Sequence, residues 1–583
     1  MILQALADYY EALAAQGKIA LPGWGNVNIS YALCINGAGE LEQAVSLKTE
    51  QERGKSKVLI PRVMELPAPV NRTVKITSNF LWDNSTYILG IDNNGKPERS
   101  LDCFRACRAL HRQVLSDVDS PAAKALLAFF DHWEPQQARI HPALSNYLED
   151  MLSNANLTFW YDGRCPREDP LIRQAWQDYY NTAGDGPEMV CLVTGKTGPV
   201  EPVHPFIKGS TIGAQAKAAL VSFNAPAFCS YGREQNLNAP VSKYAAFAYT
   251  TALNHLLADR EHTFRTGDTT VLFWAKNGQS AYQNMMMGFL CGMSPSYYAV
   301  SDLAGMVKKL CNGQPVDFDG EKLDPNMDFY ILGLSPNAAR LSVRFFLHNS
   351  FGVFLENVRR HYERLEIVRP AFDKFDLLPL WKLLDETVNQ NARDKSPSPQ
   401  LAGETLQAIM SNTRYPATLL NGVTLRIRAE REITRGRAAI LKAYYLQAPH
   451  PDIPKPEEVL TVSLNPDSSN TAYNLGRLFS VLESIQSAAN PGINTTIKDK
   501  YFNSASAAPS RVFPTLVNLA QKHLRKLETG LRSHYNKQLT ELQGKLNDAY
   551  PDRMNLPQQG SFQLGYYHQT QIRYMKKEEK ENV

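Results

Sequence analysis

Cysteine is scarce in this sequence: eight cysteines are spread over 583 residues, and none belongs to a C-x-x-C pair. The closest two, Cys103 and Cys107, have a spacing that places both on one helix face. Scattered cysteines argue against a disulfide framework and predict reduced thiols packed as small apolar groups. A structural zinc site formed by Cys165, Cys191 and His204 stays open, although their spacing fits no standard zinc motif.

Long apolar runs are absent too. The most apolar stretch, "MMMGFLCGM", is far shorter than the ~20 residues that a membrane-spanning helix needs. The first residues, "MILQALADYYEALAAQG", contain Asp8 and Glu11 and have no basic segment of the kind that opens a signal peptide. We therefore expect a soluble, cytoplasmic protein without a membrane partner, whose first element is an amphipathic helix.

Motifs of known catalytic sites are also missing. The sequence contains no H-E-x-x-H, no G-x-S-x-G and no kinase-type catalytic loop. The stretch "VTGKTG" resembles part of a phosphate-binding loop, but Val190 stands where that loop needs its first glycine, so we predict a turn. The histidines are dispersed, and the acidic residues form no cluster suited to Mg²⁺. These absences favour a protein that is not an enzyme and needs no cofactor, with a nuclease of unfamiliar design as the alternative.

Charge of one sign is not in large excess. The formal net charge is +4, and hydrophobic residues make up 43% of the chain, as in an ordinary globular protein. A mildly basic balance permits a nucleic-acid partner without requiring one. The length exceeds what one hydrophobic core usually holds, so several domains are expected.

The hydrophobic pattern changes along the chain. Up to about residue 350, strand-like stretches such as "VNISYALCI" and "TTVLFWAK" alternate with helical ones such as "PAAKALLAFFDHW". Beyond that point the apolar spacing is helical almost throughout. The pattern predicts an α+β fold, with a mixed N-terminal region of β-sheets and helices followed by an all-helical C-terminal bundle. The expected segments are 1–97 and 98–350 (both α+β), 351–446 (helical), 447–458 (a Pro-rich linker) and 459–583 (the helical bundle).

Individual residues mark where some elements begin and end. Pro121 is placed as a helix start, and Ser242 is placed as the N-cap of the helix "SKYAAFAYTTALNHLLAD". In "MDFYILGLSPNAARLSVRFFLH" we predict an apolar strand, a turn at Ser335-Pro336-Asn337, and a basic segment with Arg340 and Arg344.

Three groups of amide, hydroxyl and lysine side chains lie in predicted loops. Such groups can read base edges through hydrogen bonds, in the major or the minor groove. The alternative is that they close Asx-turns on their own backbone. The candidate readers of duplex DNA are Asn79, Asn84, Lys208, Ser210, Gln215, Asn224, Gln235 and Asn236.

Basic side chains cluster in other stretches of the chain. In "LRIRAEREITRGRA" the spacing puts Arg428, Arg431 and Arg435 on one stripe of a predicted helix. Such a stripe suits a phosphate backbone, although a solvated helix face explains it equally well. The candidate backbone contacts are Arg72, Lys75, Arg428, Arg431, Arg435, Lys522 and Arg525.

Several long segments resemble a known family. The segments "MILQALADYYEAL", "NFLWDNSTYILG", "HPFIKGSTIGAQAKAALVSFNAPAFCSYGREQNLNAPVSKYAAFAYTTALNHLL", "FYILGLSPNAARLSVRFFLHNSFG", "TRYPATLLN" and "FQLGYYHQ" are similar to the large subunit of the type I-C CRISPR surveillance complex, Cascade. The resemblance implies a non-catalytic DNA reader that recognises the protospacer-adjacent motif, and we expect residues 98–350 to form the motif-recognition region. It further implies that the protein promotes duplex unwinding and R-loop formation, stabilises the displaced strand and recruits a helicase-nuclease.

The resemblance also implies partners. These are the CRISPR RNA, the target duplex and its displaced strand, the backbone and RNA-processing subunits, the helicase-nuclease, and copies of a small subunit translated from an internal start. No methionine stands near the end of the Pro-rich stretch, so we predict a non-AUG start near Val459. A nuclease subunit acting on the captured strand and a purely structural scaffold are the alternative functions.

Overall fold

The protein forms two compact units, each with its own core. The computed structural model describes residues 1–53, 56–70, 72, 76–93, 95, 97–182, 186–260, 262–291, 300–393, 395–546 and 549–574. The first unit comprises residues 1–210 and 215–258, and the second comprises 211–214 and 259–583. Sheets and helices alternate up to Ser350 and helices follow, which confirms the predicted fold class.

The first unit contains seven of the described helices and twelve of the described strands. The helices are α1 (Ile2–Ala15), α2 (Ser85–Ile88), α3 (Pro97–Leu115), α4 (Pro121–His132), α5 (Leu148–Leu152), α6 (Pro170–Thr182) and α7 (Lys243–Ala258). The strands are β1 (Trp24–Ile29), β2 (Tyr31–Ile35), β3 (Leu41–Ser46), β4 (Thr49–Arg53), β5 (Ser56–Ile60), β6 (Arg62–Pro67), β7 (Trp82–Asn84), β8 (Asn156–Tyr161), β9 (Glu188–Val190), β10 (Thr197–Pro199), β11 (Ile207–Lys208) and β12 (Lys217–Ala218).

A four-stranded sheet forms the centre of this unit. Its strand order is β3-β2-β8-β7, with β2 and β8 parallel and the outer pairs antiparallel. Helices α3 and α4 contribute Cys107, Phe129 and Phe130 to the apolar core that also holds Phe159 of β8. Pro121 opens α4 as predicted, and the Ser120 hydroxyl caps it by accepting from the Ala123 N–H.

Helix α7 packs against α1 and carries the loops that precede it in the chain. Tyr10 of α1 meets Phe247 of α7 edge to face, with 5.7 Å between the ring centroids. The Ser242 hydroxyl accepts from the Ala245 N–H, so the predicted N-cap is confirmed.

The second unit contains six of the described strands and twelve of the described helices. The strands are β13 (Thr263–Thr266), β14 (Thr269–Ala275), β15 (Val316–Phe318), β16 (Glu321–Leu323), β17 (Asp328–Asn337) and β18 (Arg340–Ser350). The helices are α8 (Ala281–Cys291), α9 (Val300–Cys311), α10 (Phe351–Leu365), α11 (Leu380–Asp385), α12 (Pro399–Ser411), α13 (Ala417–Glu430), α14 (Arg435–Gln447), α15 (Thr471–Ala489), α16 (Ile497–Ala507), α17 (Pro509–Leu524), α18 (Thr529–Gly544) and α19 (Leu556–Tyr574).

An antiparallel sheet of order β13-β14-β17-β18 opens this unit. The predicted turn at Ser335-Pro336-Asn337 is wrong, because these residues pair with β18 up to the partners Asn337 and Arg340. The connection is shorter than expected and consists of residues 338 and 339, with Ala338 at a φ of 52°. A two-residue connection is the commonest link between antiparallel strands, since it matches their twist.

One apolar core continues across the Pro-rich stretch 447–458. It includes Tyr445 before that stretch and Phe562 of α19 after it. The Val368 N–H donates to the Val462 carbonyl at 2.7 Å, which adds a backbone bond between the two sides. Among the helices in the described ranges, none combines the length and the apolar character that crossing a bilayer requires.

Candidate nucleic-acid interface

The amide-rich stretch 223–242 is held together by one of its own side chains. The Asn238 Oδ1 accepts from the Ser230 N–H at 2.8 Å. Its Nδ2 donates to the carbonyls of Arg233 and Gln235, at 3.1 and 2.9 Å. Asn238 therefore fixes the backbone of a loop tip that spans residues 230–235, which we call the 230–235 tip.

The 230–235 tip presents an aromatic ring and a guanidinium group to solvent. Tyr231 is 100% exposed, and Arg233 is exposed as well. Tyr231 has a φ of 55°, a left-handed conformation that costs a residue with a Cβ about 1–2 kcal/mol. Strain of this kind persists only where the surroundings enforce it, and it concentrates at functional sites.

Tyr231, Arg233 and Asn238 are not among the predicted readers, because residue type alone does not show which side chains of a polar loop face solvent and which ones hold the loop. The available signal was an aromatic residue before a glycine in a polar loop, "SYGRE". Gly232 follows Tyr231 at a φ of 69°, so the chain turns sharply there and projects the ring outward. The tip offers a stacking surface beside a cation.

The predicted readers in this stretch have different surroundings. Asn224 and Gln235 are exposed, whereas Asn236 is buried and its Oδ1 has no hydrogen-bond partner in the described part of the chain. The Asn236 N–H donates to the Pro202 carbonyl at 3.2 Å, which ties the loop to the segment before β11. Asn236 is thus a loop anchor and is omitted from the candidate interface.

The hairpin β11–β12 adds a second group of predicted readers close in the chain. Lys208, Ser210 and Gln215 are exposed there. The Asn254 side chain of α7 accepts from the Lys208 N–H at 2.8 Å and donates to the Phe206 carbonyl at 3.1 Å. Segment 200–208 also bonds to the loop through Glu201, whose N–H donates to the Val241 carbonyl at 3.0 Å. The fold therefore joins this hairpin and the 223–242 loop through shared backbone contacts and α7.

The first two predicted readers serve the fold elsewhere in this unit. Asn79 is buried, and its Oδ1 accepts from the Val70 N–H at 2.9 Å. The Asn84 side chain caps α2 by accepting from the Thr86 N–H and donates to Asn154 at 3.1 Å. A base edge would have to replace these bonds, so both are omitted from the candidate interface.

Arg72 is likewise engaged inside the first unit. Its guanidinium forms a two-pronged pair with Asp83, donates to the Thr77 carbonyl at 2.6 Å and lies 3.9 Å from the centroid of the Tyr87 ring. Burial raises the pKa of Asp83 even though the guanidinium opposes that shift. Removing Arg72 would leave a buried carboxylate unpaired, so its first role is structural. The other predicted contact of this region, Lys75, lies outside the described residues.

The arginine stripe predicted after residue 425 is wrong, since it is not one helix. Helix α13 ends at Glu430, Arg431 adopts a left-handed φ of 57°, and Arg435 starts α14. Arg428 donates to the Gln559 Oε1 at 3.0 Å. The Arg435 side chain is 9% exposed and pairs with Asp373, whose Oδ2 lies 3.2 Å from its Nη1. Each arginine therefore faces different surroundings.

Lys522 and Arg525 remain suited to a phosphate backbone. Both are exposed at the end of α17, and neither pairs with an acidic group in the described ranges. Their neighbour Lys526 donates to Asn490 at 3.2 Å. Free cations at one helix end form a small positive patch that can contact phosphates.

The residues considered for zinc have separate roles. The Cys191 sulfur accepts from the N–H groups of Ser242 and Thr194, at 3.2 and 3.5 Å, in the turn that the "VTGKTG" stretch forms. Burial raises the pKa of Cys191, but these hydrogen bonds outweigh it and lower the pKa to about 7. His204 bonds to the Tyr249 hydroxyl at 2.8 Å, and burial lowers its pKa to about 4. Within the described residues, no three His, Cys, Asp or Glu side chains are grouped to hold a metal ion.

Comparison with known proteins finds a family model that matches nearly the full length of the chain. A family model described as a CRISPR-associated protein (Cas_Csd1) matches residues 6–574. The matched range includes both units and every side chain of the candidate interface. A search of curated proteins gives no match.

Proposed function

Because the chain belongs to the Cas_Csd1 family of CRISPR-associated proteins, the large subunits of type I-C Cascade, we propose that it reads the protospacer-adjacent motif on target DNA. In this proposal the subunit recognises a few base pairs of duplex and promotes strand separation and R-loop formation. The guide RNA then reads the remaining sequence by base pairing. The family match over residues 6–574 is the observation that carries the proposal.

The first unit supplies the surface that we assign to motif reading. It consists of the 230–235 tip with Tyr231 and Arg233, the exposed amides of Asn224 and Gln235, and the hairpin residues. Amides and lysine can hydrogen-bond to base edges, and a tyrosine ring can stack on an exposed base pair. The full set is Lys208, Ser210, Gln215, Asn224, Tyr231, Arg233 and Gln235.

The second unit supplies the surface that we assign to the strand backbone. Lys522 and Arg525 at the end of α17 are its first members, and Arg431, which follows α13, is a further candidate for contact with phosphate. Contacts with phosphate carry little sequence information, so this surface is expected to bind every strand alike. It fits the stabilisation of a displaced strand.

The proposed partners follow from the role of a Cascade large subunit. They are the CRISPR RNA, the target duplex with its displaced strand, the backbone and RNA-processing subunits, a small subunit and the helicase-nuclease. The protein acts in the cytoplasm as a non-catalytic subunit that leaves strand cleavage to the recruited nuclease. We propose that the small subunit starts near Val459, where changing that codon to a synonymous non-initiating one would abolish the small product. Persistence of the product would refute the internal start.

A variant pair at the 230–235 tip tests the motif-reading role. In the assembled complex, Tyr231→Ala removes the stacking ring, and Asn238→Ala removes the bonds that hold the tip. We expect each change to weaken binding of matched target duplex about tenfold, since one stacked base contributes about 1–3 kcal/mol. Gel shifts with matched and altered motifs, at two salt concentrations, measure the effect.

The control is Ile140→Ala, because Ile140 is a highly exposed apolar side chain of the same unit that lies outside the candidate interface. If both tip variants bind matched target as tightly as the control, the tip does not read DNA. If a complex lacking this subunit still selects matched targets, the subunit is a scaffold. Metal-dependent cleavage of the target strand by the isolated chain would instead favour the nuclease alternative.

A further inference from the structure

The second unit contains a cavity that the motif-reading role does not use. Its volume is about 590 Å³, within the range of small-ligand pockets. The walls come from the loop 370–375, from α11, from the connection between α13 and α14, and from α16 and α19. Segments distant in sequence therefore meet around one space.

Arg435 fixes the loop that forms the outer wall. Its Nη1 donates to the Phe375 carbonyl at 2.5 Å and pairs with Asp373, and its Nη2 donates to the Asp376 carbonyl at 3.0 Å. The guanidinium is largely buried, and none of the described residues forms a hydrogen bond with its Nε. Arg435 was predicted as a phosphate contact, but its position makes it the residue that holds this loop in shape.

The loop presents alternating aromatic and cationic side chains. Phe372 is 86% exposed, and Lys374 next to it is exposed as well. Phe375 is partly exposed and is flanked by the Lys382 ammonium, 3.8 Å from its ring centroid. An exposed ring on a fixed loop is a platform on which a planar group can stack at little cost in conformational entropy.

The inner wall is aromatic as well. Tyr566 and Tyr567 of α19 are buried. The Tyr566 hydroxyl donates to the Glu483 carboxylate at 2.6 Å, and the Tyr567 hydroxyl donates to the Val368 carbonyl at 2.7 Å. Because those hydroxyls are already engaged elsewhere, what these tyrosines can offer the cavity is mainly ring surface. Lys498 of α16 lines the same wall, with its ammonium 5.9 Å from the Tyr566 ring centroid.

Two of the ammonium groups that line the cavity have no acidic partner among the residues that the structure describes. Asp373 is shared by Arg435 and Lys382, and Glu386 pairs with Arg437. Among the described residues, Lys374 and Lys498 pair with no carboxylate. The exposed carboxylate of Glu432 also lines the cavity and can accept from an amino group. Aromatic walls, two unpaired cations and one acceptor together match a base with its attached phosphate.

We propose that this cavity binds one nucleotide, with the base against Phe372 and the phosphate between Lys374 and Lys498. Stacking on aromatics combined with cations is how proteins hold single-stranded nucleic acid without reading its sequence. The inference rests on the proposed function, because it assigns the nucleotide to an unpaired strand near the complex. A free nucleotide has the same chemistry, so the experiment separates these two sources.

The experiment measures binding of a fluorescent strand to the full-length chain. An oligothymidine with one 2-aminopurine is titrated, because stacking on an aromatic ring quenches 2-aminopurine fluorescence. We expect wild type to quench the probe, and Phe372→Ala to raise the Kd about tenfold and abolish most of the quenching. Lys374→Ala is expected to raise the Kd with quenching retained at saturation. Both side chains are exposed, so neither change should affect folding.

The controls are Leu425→Ala for the exposed apolar side chain and Lys322→Ala for the lost charge, because both residues are exposed in the same unit away from the cavity. If Phe372→Ala and Lys374→Ala bind like these controls, the cavity is not a nucleotide site. Titration with free deoxynucleoside monophosphate shows whether the bound nucleotide belongs to a strand or is free. Titration with RNA of equal sequence shows whether an RNA strand binds as well. Competition at equal nucleotide concentration, lost in Phe372→Ala, would support the site but assign it to a free nucleotide.

The two proposals fail separately. Phe372→Ala leaves the 230–235 tip untouched, so the ratio of affinities for matched and altered motifs should equal the wild-type ratio. If Phe372→Ala binds the single strand like wild type and keeps the wild-type ratio of affinities for matched and altered motifs, only the nucleotide site is overturned. A motif ratio of one in the wild-type complex overturns the proposed function, whatever the strand affinity.

Discussion

At the residue scale, amide side chains have different roles at different positions. The Asn238 side chain donates two bonds and accepts one within its own loop, and the buried Asn79 side chain accepts from the Val70 N–H. Asn224 and Gln235, of the same chemistry, are exposed in the loop. Local sequence does not separate these cases, because the deciding factor is which backbone groups lie within hydrogen-bonding distance in the folded chain.

Buried histidines provide a measurable property at this scale. His111 lies in the core of the first unit, where its Nε2 accepts from the Leu81 N–H at 3.0 Å and its Nδ1 donates to the Cys107 carbonyl at 2.8 Å. Only the neutral ring can make both bonds, since a proton on Nε2 would face the Leu81 N–H. Burial lowers the pKa of His111 to about 4.

We predict that His111 makes the protein less stable as the pH falls. Its folded pKa lies below the ordinary value of about 6.5, so the unfolded chain takes up a proton that the folded chain refuses. The stabilisation is complete above pH 6.5 and is lost progressively between pH 6.5 and about 4. Urea denaturation should show a steeper loss in wild type than in His111→Gln, by about 1.4 kcal/mol per pH unit.

The exposed His132→Gln is the matched control, because His132 is solvated in both the folded and the unfolded chain. It should reproduce the wild-type pH dependence. If stability falls equally with pH in wild type and in His111→Gln, the His111 ring is protonated to the same extent in the folded and the unfolded chain, and the prediction is wrong.

At the element scale, α15 and α19 pack with their backbones in contact. Gly476 of α15 faces the Phe562 carbonyl, and Gly565 of α19 faces the Tyr473 carbonyl. A Cβ built on either glycine would lie about 2 Å from the opposing oxygen. The close approach also allows Tyr473 to bond to His568 at 2.9 Å and Ser480 to bond to Thr570 at 2.8 Å.

We predict that Gly476→Ala lowers the free energy of unfolding by about 2–3 kcal/mol. The added methyl group meets backbone, which cannot rotate away, so the helices must separate and lose the bonds between them. Thermal denaturation followed by circular dichroism measures the loss. Gly530→Ala in α18 is the control, because a Cβ there meets nothing within 4 Å and alanine favours a helix. A Gly476→Ala variant as stable as this control would show that the helices adjust freely.

At the scale of the whole molecule, the Pro-rich stretch does not separate two cores in the second unit. Gly560 of α19 lies against the Tyr445 ring of α14, and Val459 is fully buried at the end of the stretch. In the intact chain, α14 covers a face of α19. A small subunit starting near Val459 would lack that cover and would need another partner surface for the same face.

We predict that cutting the chain in this stretch leaves the two pieces associated. A protease recognition sequence inserted between the exposed Pro449 and His450 permits the cut without touching the core. The pieces should co-elute in gel filtration at high salt, because apolar contacts hold them rather than ion pairs. The uncut insertion variant is the control, and separate elution of the pieces would show that the shared core is too small to hold them.

The sequence predicted those features that depend on neighbours along the chain. Pro121 marks a helix start through its fixed backbone angle, and Ser242 does so through a bond to the N–H three residues on. The period of the apolar residues separates strands from helices. The predicted turn at Ser335 is placed too early, because pairing with β18 extends the strand by the length of its partner. The arginine stripe is wrong because Arg431 turns the chain between two helices.

By itself the sequence determined the fold class and, through the family match along its length, the setting in which the protein works. Both follow from patterns that a linear chain carries: periodicity, caps and long runs of characteristic residues. Only the tertiary structure decided which polar groups face solvent, because burial depends on contacts between residues far apart in the chain. It placed Tyr231 at a braced tip, turned Arg72 and Arg435 inward, and brought Phe372, Lys374 and Lys498 to one cavity.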